Sequence, residues 1–254
     1  MKDTTKRDIL KTNETQKCNT SNTNDIQKCD TSNTNETQKC DTSNTNETQK
    51  CENSKISGIF KCGAPKTNET LETIAKRYSC RAFYPDRSVA DCDLAAIAAA
   101  GLRAPSGMNR QNWQIITVKN KELIAEMEAE GMRVLSGFED KSVYNRIAAR
   151  GGRLFYGAPC LIMLSVKEAF PNGAEMIDLG IAAQNIALAA ASLGIANCHC
   201  GLAAFCFAGS KREEFKRKLK FQEGYECGLA VLLGYAKEQS APHAIDCNKA
   251  VVIE

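Results

Sequence analysis

The stretch AEMIDLGIAAQNIALAAASLGIA, residues 174–196, decides the fold. It is long enough to cross a bilayer, but Glu175 and Asp178 would be costly in lipid, and it is rich in alanine rather than leucine. We therefore predict a central core helix, suited to a subunit contact and without membrane association. The pattern Asn172-Gly-Ala-Glu175 is expected to cap its start, and Gly194 to end it.

Three apolar runs elsewhere in the chain predict buried strands. They are Trp113 to Val118, Ala158 to Val166 and Cys227 to Tyr235. Four further helices are predicted. Two cover Thr67 to Tyr78 and Lys121 to about Leu135. Another is capped at Ser88, runs to Ala100 and ends at Gly101, and the last follows a cap at Ser210. Because the strands are apolar throughout, both faces of the sheet must be covered. This predicts an α+β or three-layer α/β domain.

Composition divides the 254-residue chain into two parts. Residues 1–66 contain only seven large apolar residues, too few to build a core, so a disordered low-complexity tail is expected. Residues 67–254 are rich in Ala, Leu and Ile and are expected to form one globular domain. The net charge of +3 is too small to indicate a nucleic-acid partner.

The tail contains an 11-residue repeat, which begins as TNETQKCNTSN at residues 12–22. Its cysteines recur at Cys18, Cys29, Cys40, Cys51 and Cys62. The units offer no apolar seam for a coiled coil and no face that a solenoid could bury. They also lack the close cysteine pairs of zinc and iron–sulfur sites, so the repeat is interpreted as a solvated linker.

The 13 cysteines are interpreted as reduced thiols of a cytoplasmic protein. Their number is odd, and the N-terminus shows no apolar signal segment. Cys198-His199-Cys200 with Cys206 resembles a metal cluster, but tetrahedral sites favour C-x2-C spacing. A small-residue turn with buried thiols, and no metal, is expected there.

The first segment that suggests chemistry is Arg77-x-Ser79-x-Arg81. In an extended chain, alternate residues point the same way, so two guanidinium groups and a hydroxyl would share one side. That arrangement suits a phosphorylated anion, although a solvated basic surface has the same pattern. The phosphate-binding patterns G-x-G-x-x-G and G-x4-G-K-[ST] are absent.

Two further segments carry polar groups in apolar surroundings. Within Ala104 to Trp113, the side chains of Ser106, Asn109 and Gln111 offer neutral hydrogen bonds, as an ordinary polar loop also would. The pattern D-x-G-x3-Q-N, which begins at Asp178, places polar groups inside the core helix. These groups require partners, and a neighbouring loop could supply them.

Together and in this order, the three segments resemble the nitroreductase family of FMN-dependent flavoproteins. The matching patterns are R-x-S-x-R-x-F, A-P-S-x-x-N-x-Q-x-W and D-x-G-x3-Q-N-x3-A-A-x2-L-G, joined by FYGAP and the closing GLAVLLGYA. The resemblance covers about residues 68–254. It implies an α+β fold around a small, mainly antiparallel sheet, in an intertwined homodimer with FMN at the interface. It also implies ping-pong hydride transfer from NAD(P)H to a small acceptor such as a nitroaromatic or a quinone.

The resemblance also implies site residues, carried over by position. The FMN phosphate would contact Arg77 and Ser79, the pyrimidine edge Arg81, and the flavin N5 the backbone of Cys200 and Gly201. Pro105, Ser106 and Asn109 would come from the other subunit, and Tyr78, Gln184 and Lys249 are further candidate contacts. No catalytic side chain is implied, because the flavin N5 carries the chemistry.

Two departures from the family pattern concern the site. Asn112 stands where proline usually precedes the tryptophan, and only Lys249 remains of a basic pair near the C-terminus. Two other functions stay open on the sequence alone. One is a flavin-binding or flavin-delivery protein with little turnover, and the other is a thiol-rich metal or redox buffer.

Overall fold

A four-stranded antiparallel sheet forms the middle layer of the domain. In the computed structural model, which describes residues 66–167 and 173–254, the strands are β1 (Trp113–Val118), β2 (Cys160–Lys167), β3 (Ala196–Cys200) and β4 (Tyr225–Gly234). They lie in the order β1-β2-β4-β3, and every neighbouring pair is antiparallel. β2 and β4 are the central strands, which explains why the residues that cross the middle of the sheet are apolar on both faces.

Helices lie on both sides of the sheet. In the described ranges they are α1 (Glu69–Lys76), α2 (Asp91–Leu102), α3 (Lys121–Gly137), α4 (Ser142–Ala148), α5 (Ala174–Ser192) and α6 (Arg212–Lys218). Short 3-10 turns occur at Gly107–Asn109, Gly201–Phe207 and Cys247–Lys249. No helix among these residues is long and apolar enough to span a membrane.

Side chains alternate along β2, so each face of the sheet has its own core. Leu161 and Met163 pack against α3, α4, α6 and the turn Gly201–Phe207. Ile162 and Leu164 pack on the opposite side, against α2 and α5. All four side chains are completely buried. The predicted three-layer α+β architecture, with a sheet covered on both faces, is confirmed.

Two glycines allow α5 to approach its neighbours closely. A Cβ atom added to Gly101 of α2 would lie 2.7 Å from Ile186 of α5, and one added to Gly228 of β4 would lie 2.0 Å from Leu179. Gly228 also sits where the register between β2 and β4 shifts at a β-bulge. Gly101 is therefore a packing residue rather than the predicted helix stop, since α2 continues to Leu102.

Two helix starts differ from the capping patterns in the sequence. α2 begins at Asp91 and its N-cap residue makes no side-chain hydrogen bond, so Ser88 is not its cap. α5 has Gly173 at its N-cap, with a φ of 66° that favours glycine, and the predicted cap Asn172 lies outside the described residues. The predicted end of α5 is confirmed, because Gly194 follows the helix with a φ of 72°.

Carboxylates on α3 cap loops that are distant in sequence. The buried Glu130 accepts a hydrogen bond from the N–H of Lys211, the N-cap residue of α6, so the predicted cap Ser210 is not used. Glu128 accepts one from the N–H of Phe155 at 2.7 Å. These carboxylates on α3 accept hydrogen bonds from backbone N–H groups, which is the role that the sequence patterns assign to local serine and asparagine caps.

β3, α4 and the turn Gly201–Phe207 have no counterpart in the sequence prediction. β3 replaces the predicted small-residue turn, and its polar side chains bind carbonyl groups of α5. The Asn197 Nδ2 donates to the Ala187 carbonyl at 3.0 Å, and the His199 imidazole donates to the Ala183 carbonyl. The predicted tail with its cysteine repeat lies, through residue 65, outside the described residues.

Candidate functional site

The segment from Arg77 to Arg81 runs along the outer edge of β3. α1 ends one residue before Arg77, whose backbone is extended at φ −63° and ψ 133°. Ser79 forms a parallel bridge with Asn197, and the Cys80 N–H donates to the Asn197 carbonyl at 2.9 Å. Cys80 is buried in the core and Arg81 is exposed, whereas Arg77, Tyr78 and Ser79 are all half-buried, so burial alternates only between Cys80 and Arg81.

Arg77 carries an unsatisfied donor in this region. Its Nη1 atom is buried and has no hydrogen-bond partner among the described residues. Burial first, and then the Arg77 charge, lower the pKa of the His199 imidazole on β3. A buried donor without a partner is costly, and a charged donor more so. An anionic oxygen is the partner that would satisfy it best.

The thiols beside this segment are weakly acidic. Burial raises the pKa of Cys80 and Cys198, and raises that of Cys200 to about 12. Burial and the neighbouring Cys80 also raise the pKa of the Tyr78 hydroxyl. These groups therefore stay protonated at neutral pH and supply no thiolate. No group of three or more His, Cys, Asp or Glu side chains in the described ranges could hold a metal ion.

The loop before β1 uses its polar groups to hold its own shape. Met108, Asn109 and Gln111 all have φ between 51° and 54°, a left-handed conformation that needs local support. The Ser106 Oγ accepts from the Gln111 N–H at 2.9 Å, and the Gln111 Nε2 donates to the Asn109 Oδ1 at 2.8 Å. Pro105 and Asn109 are exposed, so the loop presents a rigid outer surface.

α5 anchors this loop through the pattern that begins at Asp178. Both carboxylate oxygens of Asp178 accept from the Gly107 N–H, at 3.1 and 3.2 Å. Asn185 Nδ2 donates to the Ala100 carbonyl near the end of α2 at 3.2 Å, while Gln184 is half-buried. Capping of a neighbouring loop, the alternative left open by the sequence, is therefore what Asp178 does.

The candidate residues fall into two groups in one chain. Arg77 and Ser79 lie along β3, which ends at Cys200, and the exposed Gly201 follows. Pro105, Ser106 and Asn109 lie on the loop anchored by Asp178. Asp178 precedes Ala183, the His199 partner, by five positions, or about 7.5 Å along α5 at 1.5 Å per residue. Lys249 is exposed in the last 3-10 turn.

Sequence reasoning did not single out Asn197 as a site residue. The only available signal was an asparagine two positions before His199 and flanked by small residues, which also suits a turn. In the structure the residue is 2% exposed, and its backbone pairs with Ser79 and Cys80 of the Arg77–Arg81 segment. Its Oδ1 atom is buried and has no hydrogen-bond partner among the described residues.

The fold and this arrangement define a class of protein. Residues 74–235 match the model of the nitroreductase family, and the chain belongs to that family. The resemblance drawn from the three sequence segments is confirmed.

Individual relatives share most of the domain. The chain is 53% identical to a nitroreductase with bound FMN from Desulfitobacterium hafniense, with a TM-score of 0.71, over 74% of this chain and 100% of that one. A nitroreductase with bound FMN from Bacteroides fragilis is 28% identical, with a TM-score of 0.67 and the same coverage. An Archaeoglobus fulgidus protein with the provisional name NADH dehydrogenase/NAD(P)H nitroreductase is 28% identical over 178 residues, which are 67% of this chain and 87% of the relative.

Proposed function

We propose that this protein is an FMN-dependent oxidoreductase that passes electrons from NAD(P)H to a small organic acceptor such as a nitroaromatic or a quinone. Membership of the nitroreductase family supports the reaction class. The D. hafniense and B. fragilis relatives were solved with FMN, which supports the cofactor. The name of the A. fulgidus relative supports a nicotinamide donor.

The observation that carries the proposal is the buried Nη1 of Arg77 without a partner. A phosphate would satisfy it with a charge-assisted hydrogen bond, and the hydroxyl of Ser79, two positions further along the chain, offers a neutral donor. Arg81 is exposed beside them and adds a second cation. The residues present therefore fit a phosphorylated cofactor.

FMN, when bound, supplies the redox chemistry that these side chains lack. In this proposal Arg77 and Ser79 bind its phosphate, and Arg81 provides positive charge at the pyrimidine edge, where it favours the reduced form electrostatically. The thiols of Cys80 and Cys200 are buried in the core and stay protonated, so they do not act as nucleophiles. No protein nucleophile is required, and no catalytic side chain is assigned.

A homodimer is part of the proposal. The two groups of candidate residues would then complete each other across the interface, with Pro105, Ser106 and Asn109 approaching the FMN of the partner subunit. Apolar side chains that a partner would cover are exposed on α1, on α5 and near the C-terminus. They are Leu71, Ile74, Met176, Ile177, Ile181, Val251, Val252 and Ile253.

Reconstitution with FMN tests the proposal. The purified protein should show a flavin spectrum that bleaches anaerobically with NADH or NADPH and returns when a quinone or nitroaromatic is added. Bound flavin that no nicotinamide bleaches would instead indicate a flavin carrier. Colourless protein with bound zinc would indicate a thiol-rich metal buffer.

Substitution of Arg77 tests the phosphate assignment. Arg77→Ala should weaken FMN binding about ten- to a hundredfold, because it removes a charged contact of about 1.5–3 kcal/mol. Arg146→Ala, which removes an exposed arginine of α4, is the matched control and should leave the FMN dissociation constant unchanged. An equal effect of both substitutions would show that only general charge matters.

A further inference from the structure

Two buried polar atoms of opposite character lack partners near the edge of β3. The Arg77 Nη1 is a charged donor and the Asn197 Oδ1 is a neutral acceptor, and neither has a hydrogen bond within the described residues. Buried polar groups are nearly always paired, so a matching pair of unsatisfied atoms points to a function.

The backbone places the segment that contains Arg77 alongside Asn197. Ser79, two positions after Arg77, forms the parallel bridge with Asn197, and the Cys80 N–H donates to the Asn197 carbonyl. The Arg77 charge also lowers the pKa of His199, two positions after Asn197 in the strand, after the larger effect of burial. The bridge at Ser79 thus brings the segment that contains Arg77 alongside the part of β3 that contains Asn197.

The Asn197 side chain has a fixed direction. Its Nδ2 donates to the Ala187 carbonyl of α5 at 3.0 Å, and the residue is 2% exposed. With the amide nitrogen held in this way, the Oδ1 cannot turn away to find another donor. The bond to Ala187 accounts for the Nδ2 but leaves the Oδ1 as a buried acceptor without a partner in the described part of the chain, which is costly.

We propose that Asn197 is a positioning residue, whose Oδ1, unpaired among the described residues, accepts a hydrogen bond from the Arg77 guanidinium when the cofactor is bound and so orients it toward the phosphate. A guanidinium has five N–H donors, so it can bind Asn197 and a phosphate at the same time. The side-chain carbonyl of Asn197 is neutral, so it does not compete with the phosphate for the positive charge of the guanidinium. This inference rests on the proposed function, because it assumes that Arg77 binds the phosphate of FMN.

The test compares FMN with riboflavin, which lacks the phosphate. Dissociation constants of both flavins are measured on the apoprotein by fluorescence quenching, and their ratio isolates the contribution of the phosphate. In Asn197→Leu the preference for FMN over riboflavin should fall about three- to tenfold, while riboflavin affinity changes little. In an Arg77→Ala background, Asn197→Leu should change the preference no further.

Asn185→Leu is the matched control. Asn185 also donates to a helix carbonyl, that of Ala100, but has no link to Arg77, so the FMN preference should remain that of the unsubstituted protein. Asn197→Ser is a milder second variant, since serine is too short to reach the guanidinium but creates little strain. It should lower the preference in the same direction, and thermal melts confirm that each variant is folded.

The outcomes separate the alternatives. Equal weakening of FMN and riboflavin in both Asn197 variants would overturn the inference, because it would show a general packing role or a contact with the ribityl chain. An unchanged preference would also overturn it. Failure of the proposed function would be visible earlier, as an unsubstituted protein that binds no flavin or binds FMN and riboflavin equally.

Discussion

Gly101→Ala should destabilise the protein, although alanine is the better helix former by about 1 kcal/mol. The added Cβ would lie 2.7 Å from the Ile186 Cγ1 and 2.8 Å from the Ile115 Cδ1, whereas carbon atoms pack best at about 3.5–4.0 Å. Ile186 is completely buried and cannot retreat into solvent. Overpacking of this kind costs about 1–3 kcal/mol, so after the gain in helix propensity the net loss should be up to about 2 kcal/mol, or up to about 8 °C in melting temperature.

Thermal and urea unfolding of the apoprotein, followed by circular dichroism, measure this loss. Gly137→Ala at the end of α3 is the matched control, because its Cβ would meet nothing within 4 Å, and its stability should stay equal or rise by up to about 1 kcal/mol. Ile186→Ala combined with Gly101→Ala should lose less than the sum of the two single losses, since it makes room for the Cβ. If Gly101→Ala matches Gly137→Ala in stability, the close approach of α2 to α5 is refuted.

Three further outcomes are expected. Burial and then the charge of Arg77 depress the His199 pKa, so the contribution of neutral His199 to stability is present above about pH 6.5 and is lost as the pH falls below that value. Arg77→Ala should raise the His199 pKa in an NMR titration, in which His199→Gln assigns the signal. An unchanged pKa would show that the two side chains do not interact. The exposed Cys92 should react rapidly with a thiol reagent, so Cys92→Ser removes one fast-reacting thiol, while Cys160→Ala removes none because burial raises the pKa of that thiol to about 12. Deleting residues 1–66 should leave flavin content, NAD(P)H oxidation and melting temperature nearly unchanged under reducing conditions, and a large loss of flavin would place the repeat within the working enzyme.

The sequence predicts those parts of the fold whose signal is local. β1 has the predicted bounds, because WQIITV is apolar and β-branched throughout. β3 was missed because Asn197 and His199 are polar, and their partners are carbonyl groups on α5 that no local pattern reveals. The cap at Ser210 was wrong for a similar reason, since the acceptor is Glu130 on α3, about eighty residues away in the chain.

The candidate site shows the same limit. The extended backbone after α1 agrees with the spacing of Arg77, Ser79 and Arg81, but that the three side chains share one side stays a prediction. The buried Oδ1 of Asn197 could not, because its significance depends on a bridge between chain segments more than a hundred residues apart. The roles of Gln184 and Lys249 as cofactor contacts stay predictions.

The helix-borne carboxylates have a consequence for how this protein could diversify. Asp178, Glu128 and Glu130 each hold a loop by its backbone N–H, and a backbone N–H is present whatever the side chain, proline excepted. The residues that surround each anchored amide can therefore be replaced without losing the anchor. A library that randomises the exposed Met108, while retaining Ser106 and Asp178, would therefore vary the outer surface of this loop and keep its anchor.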